Sequence, residues 1–450
     1  MQQAVLLCCV ASAAALLQSG APRVTRALPA IHRAVAPSAA AALAELPASS
    51  LAAEDQWVRS FDSAAFKQDV GALGARLEKG QGEADVKHLQ KIIRWSNACG
   101  FIGLATMWMP YSPLSIVGLS LWTMSRWTMI AHHTCHGGYN KQDDGTGRFT
   151  SKGFAVGALT NRVRDWFDWM LPEAWNVEHN NLHHFRLGEP GDPDLVERNL
   201  ETLRQVKLPM VVKYGVVAVM ACVWKWFYYA PNTYKQLKIQ ELKRAGKEVP
   251  SDVDPHSAFA LPTFFEKEAS QLGYSFVDYM QRVAGPYIAR FFMLPLPLLF
   301  FSPAFYMNGL RNMLLADALS NLHSFIVIAT NHAGEDLYAF KNSVQPKSGS
   351  YYMRQVTSSV NFRTGGDLND FMHGWLNYQI EHHAWPQLSM LSYQKAAPEL
   401  KAICAKHDVP YVQENVFKRL KKTADIMVGK TSMRRFDEAW EDKNDAFEWK

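Results

Sequence analysis

Apolar residues gather into long runs along this chain, separated by strongly charged stretches. The runs are Ala98–Ala131, Leu208–Ala230, Gly285–Phe301 and Gly309–Thr330. The hydrocarbon core of a bilayer is about 30 Å thick, and an α-helix crosses it with about 20 mostly apolar residues. The runs have that length, which predicts an all-α integral membrane protein with large polar caps. Pro110-Tyr111-Ser112-Pro113 cannot continue a helix, so Ile92–Met109 and Leu114–Ala131 read as an antiparallel pair. Leu208–Ala230 contains Lys213 and Lys225 and ends in an aromatic group from Trp224 to Tyr229, as expected of a segment lying in or dipping into the interface. Ala284–Phe301 and Gly309–Thr330, joined by Ser302–Asn308, complete four transmembrane helices.

The polar stretches divide the chain into a leader over 1–52, a polar helical segment over 53–91, a membrane domain over 92–405 and a polar C-terminal tail over 406–450. No acid precedes Glu45; an apolar core from Ala4 to Leu17 is followed by an Ala/Ser/Pro-rich stretch with Arg23, Arg26 and Arg33. This signal-plus-transit pattern resembles the leaders of algae whose plastids lie inside extra membranes. It predicts a plastid membrane, thylakoid or envelope, with the endoplasmic reticulum as the alternative. Val70, Leu73 and Leu77, then Val86 and Leu89, recur at helical spacing. The net charge of +5 resides largely in segments such as Lys235–Lys247 and Lys418–Lys422, read as faces beside anionic headgroups and not as nucleic-acid contacts. Six cysteines without framework spacing indicate no disulfides.

Three short segments hold eight of the fifteen histidines: His132-His133-Thr134-Cys135-His136, His179-Asn180-Asn181-Leu182-His183-His184, and Gln379-Ile380-Glu381-His382-His383. Residues three or four apart share a helix face, so His132 pairs with His136, His179 with His183, and Gln379 converges with His382 and His383. Cys135 lies off the face shared by His132 and His136. The short turn after the first span returns the first cluster to the side of entry, no crossing separates it from the second, and two crossings precede the third. His332 emerges from the last span on that same side. His323 lies nine residues earlier, about 13 Å deeper, as a hydrogen-bonded intramembrane histidine. His132, His136, His179, His183, His184, His332, His382 and His383 offer too many imidazoles for one six-coordinate metal and suit two. Ligand type alone leaves iron, copper, zinc and nickel open. A nitrogen-rich metal pair at a membrane, without an obvious acidic general base, argues for oxygen chemistry over hydrolysis.

The order His-x-x-x-His, His-x-x-x-His-His, Gln-x-x-His-His along a four-span chain resembles the membrane fatty acyl desaturases, and Gln379 resembles their front-end branch. Asp192-Pro193-Asp194-Leu195, Asn331-His332 and Gln355-Val356-Thr357-Ser358-Ser359-Val360-Asn361 support the likeness, which runs from about Ile92 to the tail. The resemblance implies a helical cap holding two non-haem irons on those eight histidines, with Gln379 as a ligand or the holder of a metal-bound water. It implies O2, two electrons from an external donor and a cis double bond placed in a membrane acyl chain, on an acyl-lipid carrier. His133, Asp192, Asp194 and Asn331 are candidates to orient ligands; Trp169, Trp175, Phe371 and Trp375 are candidates for a substrate tunnel. Three departures stand out: His133 where the family commonly has Asp, Arg186-Leu187-Gly188-Glu189-Pro190-Gly191 after the second cluster, and no cytochrome b5 signature. The last points to ferredoxin as donor, with a separate cytochrome b5 as the alternative. A hydroxylase, epoxygenase or carotenoid-modifying oxygenase on the same scaffold, or a non-catalytic metal-binding membrane protein, are the rival readings.

Overall fold

A computed structural model of the chain describes residues 51–449 apart from positions 252 and 274, so the leader lies, up to residue 50, outside the described residues. Helix α1 (Ser63–Lys79) begins where Asp62 accepts hydrogen bonds from the amides of Ala64 and Ala65, and it buries Val70, Leu73 and Leu77. Helix α2 (Glu83–Thr106) runs antiparallel to α3 (Pro113–Ser125). The two backbones meet at Gly118, where a Cβ would lie 2.7 Å from the Cys99 carbonyl oxygen. Small residues at such a crossing let helices approach closely enough for dispersion contacts to hold them in lipid.

The turn between α2 and α3 is satisfied from a distance. Asn312 accepts from the Ser112 amide at 3.1 Å and donates to the carbonyls of Met107 and Met109 at 2.9 and 2.8 Å. Backbone groups without water need such partners. Helix α4 (Met210–Ala221) is followed, after a sharp bend of 79°, by α5 (Lys225–Arg244). Next come α6 (Phe276–Phe300) and α7 (Pro303–Asn331), among the described residues the two helices long and apolar enough to cross a membrane; the bent α4–α5 pair would make a third span. The expected crossing at Ala284–Phe301 thus begins earlier, where Ser275 caps the helix by accepting from the Asp278 amide. The first half of α2 is charged, and the α3 run widens into a π turn at Arg126–Ala131, so neither stands beside α6 and α7 by length and composition.

Beyond α7 lie α8 (Gly349–Thr357), α9 (Gln379–Ala384), α10 (Met390–Lys406) and α11 (Val416–Met427). Among the described residues the strands are two short ones, β1 (Tyr338–Ala339) and β2 (Arg434–Arg435), paired in parallel. Helix α1 and the tail around Arg419 are structural parts of the cap. Helix α1 packs on α8 and α10, and Gly74 sits so close to the Trp385 indole that a Cβ has no room. In the tail, buried Arg419 holds Asp336 at 2.6 and 2.8 Å and donates to the Ala333 carbonyl at 3.1 Å.

Candidate metal centre

Each histidine cluster sits where the helix departs from regular α geometry. The π turn Arg126–Ala131 leads directly into His132–Cys135, and a second π turn, Asn176–Asn180, carries His179. Single π turns shift side chains around the helix axis and recur at functional sites. After Leu182 the chain tightens into a single 3-10 turn at His183–Phe185. In the third cluster Trp375 adopts a left-handed conformation (φ 57°), and a short turn over Leu376–Tyr378 then starts α9.

The rings gather into two groups in which one ligand atom from each residue lies within 4.8 Å of the others: His132, His136, His179, His184 and His382 in one, His183, His332 and His383 in the other. Two of the expected pairings differ. His179 joins His184, while His183 turns to the second group, although His179, His183 and Asp194 also approach one another; the break at Leu182 ends the i, i+4 register. Gln379, His382 and His383 do not meet at one point either. Adjacent helical residues project about 100° apart, which sends His382 to the first group and His383 to the second. Gln379 reaches the second group, its Nε2 lying 2.8 Å from His332 Nε2, while its buried Oε1 has no hydrogen-bond partner.

In the first group, Nε2 atoms face each other at 2.9 Å (His132 and His179), 3.2 Å (His179 and His184) and 3.1 Å (His184 and His382). A neutral imidazole nitrogen carries one proton or one lone pair, so no arrangement of protons satisfies such a chain. Nitrogens bound at about 2.1 Å to a common cation are about 3.0 Å apart at adjacent positions. The donor set therefore fits a metal. Burial holds the pKa values of His179, His184, His382 and His383 well below the usual histidine range, keeping their lone pairs free.

Outer contacts orient the second group. His183 Nδ1 donates to Asp192 Oδ1 at 2.9 Å, and Asp192 also accepts from the amides of Gly188 and Asp194. Burial opposes charge on both, but their mutual attraction wins: the His183 pKa is raised and that of Asp192 lowered. His332 Nδ1 lies 3.1 Å from the Ser358 carbonyl oxygen, and His383 Nδ1 lies 3.1 Å from Gln355 Oε1. Glu381, pushed up to about 7 by burial against hydrogen bonds from Tyr411 and Asn361, anchors α9 from behind. Burial, reinforced by Asp194, raises the neighbouring Glu178 carboxyl.

His133 belongs to neither group and contacts the Met129 carbonyl oxygen through Nδ1 at 2.7 Å. Asp194 lies 3.8 Å from His183 Nδ1. Asn331 donates to the carbonyls of Val327 and Leu376, tying the end of α7 to the third cluster without touching a ring nitrogen. Buried Cys135 stands outside both groups. His323 Nε2 meets the Met372 carbonyl oxygen at 2.7 Å. Gln355, Tyr393 and Glu381 were not singled out from sequence; Gln355 opens the stretch that resembled the family, whereas Tyr393 left no signal.

A largely apolar cavity of about 170 Å³ opens on both ring groups, lined by His132, His179, His183, His332 and Gln379 at one end and by Leu203, Val217, Met220, Phe325 and Met427 elsewhere. Trp175 lines it and stacks on His179 with centroids 4.5 Å apart. Trp169, Phe371 and Trp375 are not in its walls. The Trp169 indole donates to Asp317, Phe371 packs on Trp95, and Trp375 donates to the Met390 carbonyl, because each finds a partner inside the helix packing.

The fold and site define a class, a helical membrane-associated protein whose clustered histidines are compatible with a metal site and face an apolar cavity. The fatty acid desaturase family model matches residues 106–415, and the chain belongs to that family. It is similar to the NADPH-dependent stearoyl-CoA 9-desaturase of Mycobacterium tuberculosis, 23% identical over 371 residues, 79% of this chain and 77% of that protein. Shorter matches, 29% identical in each case, join it to the Delta(8)-fatty-acid desaturase of Euglena gracilis (25% of this chain, 26% of that one) and to fatty acid desaturase 3 of Homo sapiens (32% and 31%). No solved structure matches the chain at a significant level.

Proposed function

We propose that this chain is an acyl-lipid desaturase of the front-end kind, with two non-haem irons, one held by His132, His136, His179, His184 and His382 and the other by His183, His332 and His383 with Gln379 beside them. The observation that carries the reading is the placement of two imidazole groups at one end of an apolar cavity. Iron held by these residues would, with O2 and two electrons, supply the chemistry needed to take hydrogen from an unactivated methylene. The chain's own residues do the positioning. The cavity excludes water and fixes which carbon stands beside the rings. Trp175 keeps His179 from rotating, and Asp192, Gln355 and the Ser358 carbonyl fix the lone pairs of the second group inward.

Ferredoxin is the proposed donor, with a separate cytochrome b5 as the alternative. Four crossings, with α2 and α3 as the first pair and the α4–α5 bend dipping in from one side, keep all three clusters on one face of a plastid membrane. The test is expression of the full chain in a ferredoxin-bearing host and chromatography of its acyl chains. His382→Ala or His183→Ala should abolish a new unsaturated chain while the protein still reaches the membrane. Unchanged product from either variant overturns the metal assignment, and an oxygenated chain in place of an unsaturated one replaces desaturation by hydroxylation.

A further inference from the structure

Part of the cavity wall is built at the 79° break between α4 and α5, where Trp224, Phe227, Tyr228 and Tyr229 face the cavity. Lys225 and Trp226, in the same stretch, are not among the residues that line it. Lys225 is fully buried, as is its partner Asp168, whose carboxylate oxygens lie 3.2 and 3.1 Å from Nζ; Ser320 of α7 completes the shell at 3.2 Å. Asn321, also on α7, accepts from the Lys225 amide at 3.0 Å through Oδ1, and its carbonyl accepts from the Trp224 indole at 2.9 Å. The Asn321 side-chain amide is fixed in turn by the Asp317 carbonyl at 2.8 Å. The ammonium also stands 5.5 Å from the centre of the Trp127 ring, another wall of the cavity.

We propose that Lys225, Asp168 and Asn321 are positioning residues that lock the break, and through Trp224 to Tyr229 set which carbon of the acyl chain stands beside the metal-binding rings. The inference rests on the desaturase reading. An isolated charge at membrane depth is costly, so the pair holds its two segments together as long as both partners are present. The break is also where a helix-long span has lost its regular hydrogen bonds, so side chains must define its angle. A shift of one methylene register is 1.25 Å or so along an extended chain, roughly the scale at which misplacement of a substrate changes rates about 100-fold.

The experiment uses the full-length chain in host membranes, reading double-bond positions by mass spectrometry of derivatised acyl chains and iron content of the purified protein. Lys225→Met combined with Asp168→Asn removes both charges together and keeps an acceptor for the Trp169 amide, which Asp168 now bonds at 2.7 Å. Asn321→Ala, with the ion pair left in place, is the second variant. Each should retain iron and lower the ratio of the principal double-bond isomer to displaced isomers by about tenfold. An unchanged isomer ratio in either variant overturns the proposal, as does product lost only in step with iron, which marks a purely structural role. A wild-type chain that forms no unsaturated product overturns the desaturase reading itself.

Discussion

The two histidine groups reach order by different means. The five-ring group is crowded: its Nε2 atoms press on one another, Trp175 stacks on His179, and the Nδ1 atoms of His179 and His184 are buried with no hydrogen-bond partner. The three-ring group has fewer nitrogens, but each of its rings meets an oxygen through Nδ1: Asp192 for His183, Ser358 for His332 and Gln355 for His383. Ring number and packing hold the first group; hydrogen bonds to oxygen hold the second. A site with few ligands depends more on each, and on whatever aims them.

The largest consequence is that losing one ring should matter more in the smaller group. His383→Ala leaves two imidazoles and should take the purified protein from about two metals per chain to about one. His136→Ala leaves four imidazoles and should retain more metal, and equal losses by elemental analysis would erase the distinction. Next in size, Asp192→Asn should lower metal affinity or activity by about 10- to 100-fold, as loss of an outer partner of a ligating histidine does. Tyr393→Phe, which removes a contact of 3.3 Å to His382 Nδ1, should cost no more than about fivefold. A pH titration of metal retention sharpens the same contrast. Asp192 raises the pKa of His183, so as pH falls through that raised value a proton displaces metal from the three-ring group first. Release from both groups at one pH would contradict this order.

How far these features could be read from the sequence depends on the range of the interactions behind them. Apolar run length marks α6 and α7, and the Pro110–Pro113 turn marks the α2–α3 hairpin, because both arise from neighbours in the chain. Which imidazoles are near one another is also legible, but their division between the two groups is not. The π turn at Asn176–Asn180 and the break at Leu182 re-aim His183 away from His179, and helical spacing has no signal for either. Gln355 and Tyr393 were missed because they meet their histidines across 28 and 11 residues. Three of the four tunnel candidates lie outside the cavity wall for a related reason: an aromatic residue near a histidine cluster serves packing as readily as a cavity, and Trp169, Phe371 and Trp375 have partners in the packing, whereas Trp175 lines the cavity. The tail looked merely polar, whereas Arg419 and Tyr411 place its charges and hydroxyl inside the cap.

The tail's contacts form late in the making of the protein. Tyr411 holds Glu381 beneath the third cluster, and Arg419 holds the loop that carries His332. Synthesis runs from the N-terminus, so the membrane helices and all the histidines leave the ribosome before the residues that fix the last of them. Until the tail docks, Asp192, Gln355 and Ser358 are already present beside their rings, but Glu381 and the His332 loop lack their tail contacts. A chain stopped before residue 411 would carry every histidine named here and lack both of these contacts.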